Sequence, residues 1–349
     1  MKKNISSKQL LAWFDCHKKQ YPWGENKLPY TVWISEIMLQ QTVATSVVPY
    51  FKQWITDYPD IQALASCEPE EVLRHWEGLG YYSRCRNLHK AAKAIMERFN
   101  GILPDSYSPL ISLPGIGDYT ARAILSIAYG KPYAVLDANV RRIVQRFTAT
   151  MEWDKDLDKE TLTELEKIIP HHRPGDFNEA MMQLGQLVCT TGSPRCGICP
   201  IGAECLGYKT GLAEMIPQKQ KKRINREHKT ALLFFSNCKI LLRQKKKGLF
   251  HDLWLIPTTE KNNLEKIRAI DGEWTGINSI SLTERNHFYT DNQDILTPLL
   301  ITTDQIDLSD MTPEDNELYR YQWVAIEDLN NLPSPSVYRK ILNEAKGYL

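Results

Sequence analysis

The sequence predicts an all-α domain followed by an α+β domain. Three observations carry this expectation. Through the first two hundred positions apolar residues recur at helical spacing, with Pro and Gly punctuating between runs. From Pro217 to Lys229 the chain turns basic and polar, with almost nothing to bury. Beyond that stretch come short β-branched and aromatic runs of strand type. The 349 residues suit two domains at roughly 150 residues each. The expected division is a helical domain over 1–215, a basic linker over 216–228 and an α+β domain over 229–349.

Taken in order, Thr31–Gln41 places Val32, Trp33, Ile37 and Leu39 at helical intervals. Glu70–Gly78, Ser83–Phe99, Asp118–Tyr129, Asn139–Ala149 and Phe177–Val188 show the same period. Gly101–Pro104 and Pro114–Gly117 break the chain between them. After the linker, Ala231–Ser236, Lys239–Leu242, Trp254–Pro257, Ile295–Ile301 and Tyr321–Ala325 read as strands. Leu264–Ala269 and Ser336–Lys346 read as helices.

Composition narrows the class. Hydrophobic residues are 42% and charged residues 24%, which excludes a disordered, collagen-like or disulfide-scaffold chain. No apolar run approaches the ~18 residues of a membrane span, so no membrane association is expected. Met1–Asn4 lacks the apolar core of a signal peptide. A cytoplasmic location follows as the expectation, and the eight cysteines are then thiols or metal ligands rather than disulfides. Net charge is only +1 overall. Residues 1–228 carry 29 Lys+Arg against 25 Asp+Glu, and residues 229–349 carry 14 against 17. Two units with different tasks fit that asymmetry.

Three groups of residues carry chemistry. Cys189, Cys196, Cys199 and Cys205 lie within one short stretch among Gly192, Pro194, Gly197, Pro200 and Gly202. Such turns let a loop wrap one centre, and four thiolates suit zinc or an iron–sulfur cluster. Spacing alone leaves both open. Leu113-Pro114-Gly115-Ile116-Gly117 precedes the helix from Asp118. A glycine turn at a helix start presents backbone N–H groups that can hold a phosphate, and between two helices it resembles a helix-hairpin-helix element. Asp137 opens the arginine-bearing run Ala138-Asn139-Val140-Arg141-Arg142. As an N-cap it needs no further role, although a carboxylate there can also be aimed into a cleft.

Hairpin, Asp137 and four-cysteine loop, in this order, resemble the iron–sulfur helix-hairpin-helix DNA glycosylases. Within these the chain resembles the MutY family of adenine DNA glycosylases. The most specific motif is Leu28-Pro29-Tyr30-Thr31-Val32-Trp33-Ile34-Ser35-Glu36-Ile37-Met38-Leu39-Gln40-Gln41-Thr42. Gly78-Leu79-Gly80-Tyr81-Tyr82-Ser83-Arg84 and Arg86-Asn87-Leu88-His89 follow it. The resemblance is dense over about 8–210 and weak beyond, where it implies a Nudix-like recognition domain. It implies one 4Fe-4S cluster on the four cysteines and a monomer acting on double-stranded DNA with a mismatch. The implied reaction is hydrolysis of the N-glycosidic bond of adenine opposite 8-oxoguanine or guanine. A divergent glycosylase for another base, such as thymine opposite guanine, is the alternative.

The same resemblance assigns roles. Glu36 becomes the general acid, whereas in isolation it reads as a helix-surface glutamate. Asp137 stabilises the sugar cation, with Tyr119 and Asn139 beside it. Gln41 and Tyr81 wedge into the duplex as the base flips out. Leu113, Gly115 and Gly117 form the DNA anchor. Tyr119 stands where the related endonuclease III carries a lysine nucleophile, so no lyase activity is expected. Departures are Tyr21 and Gly24 flanking Trp23, Arg122 in place of a glycine, Ala138, and Gln183 in place of an acid near the base pocket. Phe288-Tyr289-Thr290 aligns with the Phe-Ser-His loop that reads 8-oxoguanine. The stretch from Ile256 to Gly272 lacks the glutamate grouping of a Nudix hydrolase, having only Glu260 and Glu265.

Overall fold

The computed structural model describes residues 4–218, 224–260, 277–289, 292–303 and 315–349. In chain order the helices are α1 Ser7–His17, α2 Pro22–Glu25, α3 Pro29–Leu39, α4 Ala44–Asp57, α5 Ile61–Ser66, α6 Pro69–His75 and α7 Tyr82–Phe99. They continue with α8 Tyr107–Ile111, α9 Asp118–Ile127, α10 Ala138–Thr148, α11 Lys155–Ile168, α12 Pro174–Leu187 and α13 Leu206–Lys209. After the strands comes α14, Ser336–Ala345. The strands are β1 Asn225–Ser236, β2 Lys239–Lys245, β3 Trp254–Leu255, β4 Thr258–Glu260, β5 Ile277–Ser281, β6 Arg285–Tyr289, β7 Asn292–Thr303 and β8 Tyr319–Ala325. The helix expected at Leu264–Ala269 lies outside the described residues.

The chain divides into two units, Met1–Cys67 with Arg86–Gln220, and Glu68–Cys85 with Lys221–Leu349. The first is helical. Its core gathers Leu10 and Phe14 of α1, Ile143 and Phe147 of α10, and Phe177, Met181 and Leu184 of α12. Local chemistry sets the ends that matter for the site. Pro29 and Pro174 occupy first-turn positions of α3 and α12, where a missing N–H costs nothing. Asp137 caps α10, its side chain accepting from Val140 N–H. Ala149, in left-handed conformation, ends that helix. α12 can approach α10 closely because residue 185 is glycine. A Cβ there would stand 2.5 Å from Asn139 Cβ.

The second unit holds the sheet, ordered β3-β2-β1-β7-β5, with β4 on β1, β6 on β7 and β8 on β2. β1 and β7 run parallel from Asn225↔Asn292 to Phe235↔Thr302, and the other pairs are antiparallel. β1 turns into β2 through Asn237 and Cys238, both at positive φ. That is the two-residue hairpin geometry whose twist matches the strands. α14 covers the unit with Val337, Tyr338, Ile341 and Leu342 buried.

Two features differ from the sequence reading. β1 begins at Asn225, inside the stretch read as linker, because backbone pairing with β7 needs no apolar side chain. Residues 68–85, expected within the helical domain, group instead with the sheet. Glu77 forms a two-pronged ion pair with Arg339 at 2.8 Å, and Tyr82 Oη donates to Ser334 O at 3.3 Å.

Candidate active site

Glu36 lies on α3, a helix whose residues Tyr30 and Val32 to Met38 are all buried. A helix apolar on all sides is enclosed by its neighbours, so Glu36 is 6% exposed rather than on the helix surface. Its Oε2 accepts a hydrogen bond from Tyr119 Oη at 2.9 Å. Burial pushes its carboxyl up to about 7. The Tyr119 hydrogen bond opposes this, and the charges of Glu179 and Asp137 reinforce it. Such a group holds its proton in about half of the molecules near neutral pH, where a general acid works best. Tyr119 also reaches Met182 Sδ at 3.2 Å, and burial beside Glu36 raises its phenol well above the ordinary value.

Asp137 caps α10 and also holds Asn139. Its Oδ1 accepts from Val140 N–H at 2.7 Å and its Oδ2 from Asn139 Nδ2 at 2.8 Å. Asn139 Oδ1 accepts from Arg142 Nη2 at 2.9 Å. Arg142 in turn donates to the carbonyls of Gly185 and Cys189, both at 2.8 Å. A continuous chain of hydrogen bonds therefore runs from the Asp137 carboxylate to the first cysteine of the loop.

The sequence reading missed Glu179 and Lys27. Lys27 Nζ lies 2.6 Å from Glu179 Oε2 and 3.1 Å from Asp176 Oδ1. Burial pushes the Glu179 carboxyl up, and Lys27 opposes it. Burial alone would lower Lys27, but the two acids hold it raised. Gln183, read as replacing the acid of the base pocket, instead accepts from Lys19 N–H at 2.9 Å. The acids acting on Glu36 are Glu179, one helical turn before Gln183, and Asp137. Asp176 and Glu179 standing three residues apart on an apolar helix was the available signal.

Cys189, Cys196, Cys199 and Cys205 line one cavity, walled by Ile143, Phe147, Leu184, Val188 and Ile201. Arg146 Nη1 donates to Cys189 Sγ at 3.3 Å, and Cys205 Sγ donates to Arg146 O at 3.4 Å. Burial pushes the Cys199 thiol up to about 12. Among the described residues no three His, Cys, Asp or Glu side chains converge closely enough to hold a single ion. Four thiols lining one cavity fit a thiolate-held metal centre, zinc or an iron–sulfur cluster.

The hairpin turn is formed as expected. Gly115 has φ +77, and a Cβ on it would stand 2.7 Å from Asn87 Cβ. Gly117 is exposed and starts α9 without a side-chain cap, leaving first-turn N–H groups open to an anion. Leu113 is 2% exposed. Its side chain packs into the core beneath the hairpin. Gln41 and Tyr81 are both non-glycine residues at positive φ, 58° and 48°, and both are exposed. Backbone strain of that kind gathers at functional positions. In the second unit Phe288 is 64% exposed on β6. His287 faces the other way, stacked on Phe250 at 5.2 Å and edge-on to Tyr338 at 5.9 Å. Tyr289 ends β6, and Thr290 lies outside the described residues.

Residues 34–171 match the HhH-GPD superfamily base excision DNA repair protein family, which defines the class of this helical unit. An adenine DNA glycosylase of Buchnera aphidicola subsp. Schizaphis graminum is 35% identical over 287 residues, covering 81% of each chain. One from Buchnera aphidicola subsp. Acyrthosiphon pisum is 42% identical over 226 residues, 64% of this chain and 65% of that one. Among solved structures, a thermostable thymine-DNA glycosylase superposes with a TM-score of 0.55 at 23% identity, over 58% of this chain and 95% of that one. The chain belongs to the adenine DNA glycosylase family. No described helix is long and apolar enough to cross a membrane.

Proposed function

We propose that the chain removes adenine mispaired with 8-oxoguanine or guanine from duplex DNA, by hydrolysis of the N-glycosidic bond. The observation that carries this reading is the buried Glu36 carboxyl, hydrogen-bonded to Tyr119 at 2.9 Å and pushed up to about 7 by burial. Neutral adenine leaves C1′ slowly because its anion is unstable. Glu36 gives its proton to a ring nitrogen, and the bonding pair of the C1′–N bond leaves with the base. The sugar becomes an oxocarbenium-like cation that the Asp137 carboxylate stabilises. Water adds at C1′ and loses a proton, leaving an abasic site. Asn139 holds Asp137 in place. Tyr119 offers no amine, so the strand stays uncut, and borohydride should trap no protein–DNA adduct. Adenine rather than thymine as the target is supported by the names of the relatives at 35% and 42% identity.

Duplex anchoring is assigned to the hairpin at Gly115 and Gly117, and base extrusion to Gln41 and Tyr81. Cys189, Cys196, Cys199 and Cys205 would hold one 4Fe-4S cluster, which when bound cross-links the loop to the end of α12. The sheet unit is a Nudix-like domain reading the opposite strand through Phe288, Tyr289 and Thr290. The chain works as a cytoplasmic monomer. Single-turnover excision of adenine opposite guanine tests the reading. Glu36→Gln and Asp137→Asn should each slow base release by about a hundredfold or more while duplex binding persists. Near-wild-type rates in either variant refute it.

A further inference from the structure

We infer that Arg122 and Tyr107 form a latch that masks the carboxylate of Asp118, so that the hairpin can accept a DNA phosphate. This rests on the reading of the hairpin as the duplex anchor. Asp118 is the first residue of α9, directly after Gly117, with its side chain 50% exposed. A carboxylate there is favourable toward the helix dipole, but it stands where a phosphate would approach the first-turn N–H groups. Two like charges competing for one helix start repel.

The latch takes hold of that carboxylate. Arg122 Nε and Tyr107 Oη both donate to the same Asp118 oxygen, Oδ1, at 2.7 Å each. The Arg122 guanidinium is itself fixed. It lies over the Tyr107 and Tyr133 rings at 5.6 and 5.8 Å, and its Nη1 donates to Glu166 Oε1 at 2.5 Å. The two rings are stacked, with centroids 6.1 Å apart. Tyr107 opens the helix before the hairpin and Asp118 opens the helix after it, so their hydrogen bond also ties the two arms. One guanidinium thus serves two acids. Without it both carboxylates would lose the cation they share.

Charge masking and simple bracing make opposite forecasts. Binding of the full chain to an undamaged duplex, which engages the phosphate anchor without base chemistry, separates them. Arg122→Gln should weaken binding about fivefold at low salt, and less as salt rises. Asp118→Asn in that background should restore most of the affinity. Glu166→Gln, which relieves Arg122 of one acid, should leave binding equal or tighter. If Glu166→Gln weakens binding like Arg122→Gln, and Asp118→Asn restores nothing, the latch is a brace and the inference is wrong. Gly117→Ala tests the underlying reading, because a Cβ there meets no protein atom within 4 Å and intrudes only on an incoming phosphate. Weakening by Gly117→Ala with no effect of Arg122→Gln overturns the latch alone. No effect of either overturns the hairpin as anchor, and the latch with it.

Discussion

Glu36→Gln should make the protein more stable at alkaline pH while slowing its chemistry by about a hundredfold or more. In the fold the Glu36 carboxyl is raised from the usual 4.5 to about 7, chiefly by burial. A raised acid stabilises the native state only while protonated, so its contribution is complete below about 4.5 and is lost as pH rises through about 7. Each pH unit of that interval carries about 1.4 kcal/mol, so ionised Glu36 costs the native state about 3 kcal/mol at about pH 8. Glutamine has nearly the same shape, carries no charge, and still accepts the hydrogen bond from Tyr119. Urea unfolding of the full chain, compared between wild type and variant at about pH 5 and about pH 8, measures the difference. The variant should gain under about 1 kcal/mol at the lower pH and about 3 kcal/mol at the higher. Because only the difference between two otherwise identical chains is read, the sheet unit cancels. An equal effect at both pH values would show that Glu36 is not held protonated, and the acid assignment would fall with it.

Tyr119→Phe removes a hydrogen bond that favours the ionised form of Glu36. The alkaline limb of the single-turnover pH profile should move up by about one unit, from a bond of about 1.5 kcal/mol; an unmoved limb would separate Tyr119 from the acid. Asp137→Asn keeps a good N-cap side chain for α10, so its melting temperature should stay near wild type. Asp137→Ala should cost about 1 kcal/mol by loss of the cap, read by urea unfolding. Lys27→Met removes the cation paired with partly buried Glu179, leaving it only the weaker influence of Lys18. It should destabilise the protein by about 3 kcal/mol near neutral pH, and Glu179→Gln should recover most of that loss; no recovery would mean that Lys27 acts by packing alone. Anaerobically purified wild type should hold about four irons per chain, and Cys196→Ser should lose iron and duplex affinity together; one zinc and no iron would refute the cluster. On the proposed alignment of Phe288-Tyr289-Thr290 with a Phe-Ser-His loop, the preference for 8-oxoguanine over guanine should fall about tenfold for each ~1.4 kcal/mol of missing hydrogen bonding. A strong preference that collapses in His287→Ala would contradict the inward packing of that ring.

The sequence by itself determined the helix-rich unit, the hairpin, the four-cysteine loop and the strands of the second unit, because each is written in local chemistry. Asp137 announces a helix start, Gly115 a left-handed turn, and four cysteines among Gly and Pro a wrapped loop. Resemblance placed Glu36 and Asp137 in roles that periodicity alone would not have assigned. What only the tertiary structure decided depends on contacts distant along the chain. The burial of Glu36 comes from α2, α4 and α9 packed against α3, and that burial, reinforced by Glu179 and Asp137 and opposed by the Tyr119 hydrogen bond, raises its carboxyl; none of the three is nearer than 83 residues in sequence. The Lys27–Glu179 pair spans 152 residues, so no window of periodicity contains it. α11, with Asp154 capping through Asp156 and Leu157 N–H, is dense in charge and buries only Thr161 and Leu165 within its span, which hid its helical face. The grouping of residues 68–85 with the sheet unit rests on Glu77 meeting Arg339, 262 residues away. Local signals name elements and caps. The electrostatic environment that gives a carboxyl its chemistry is a property of the packed whole.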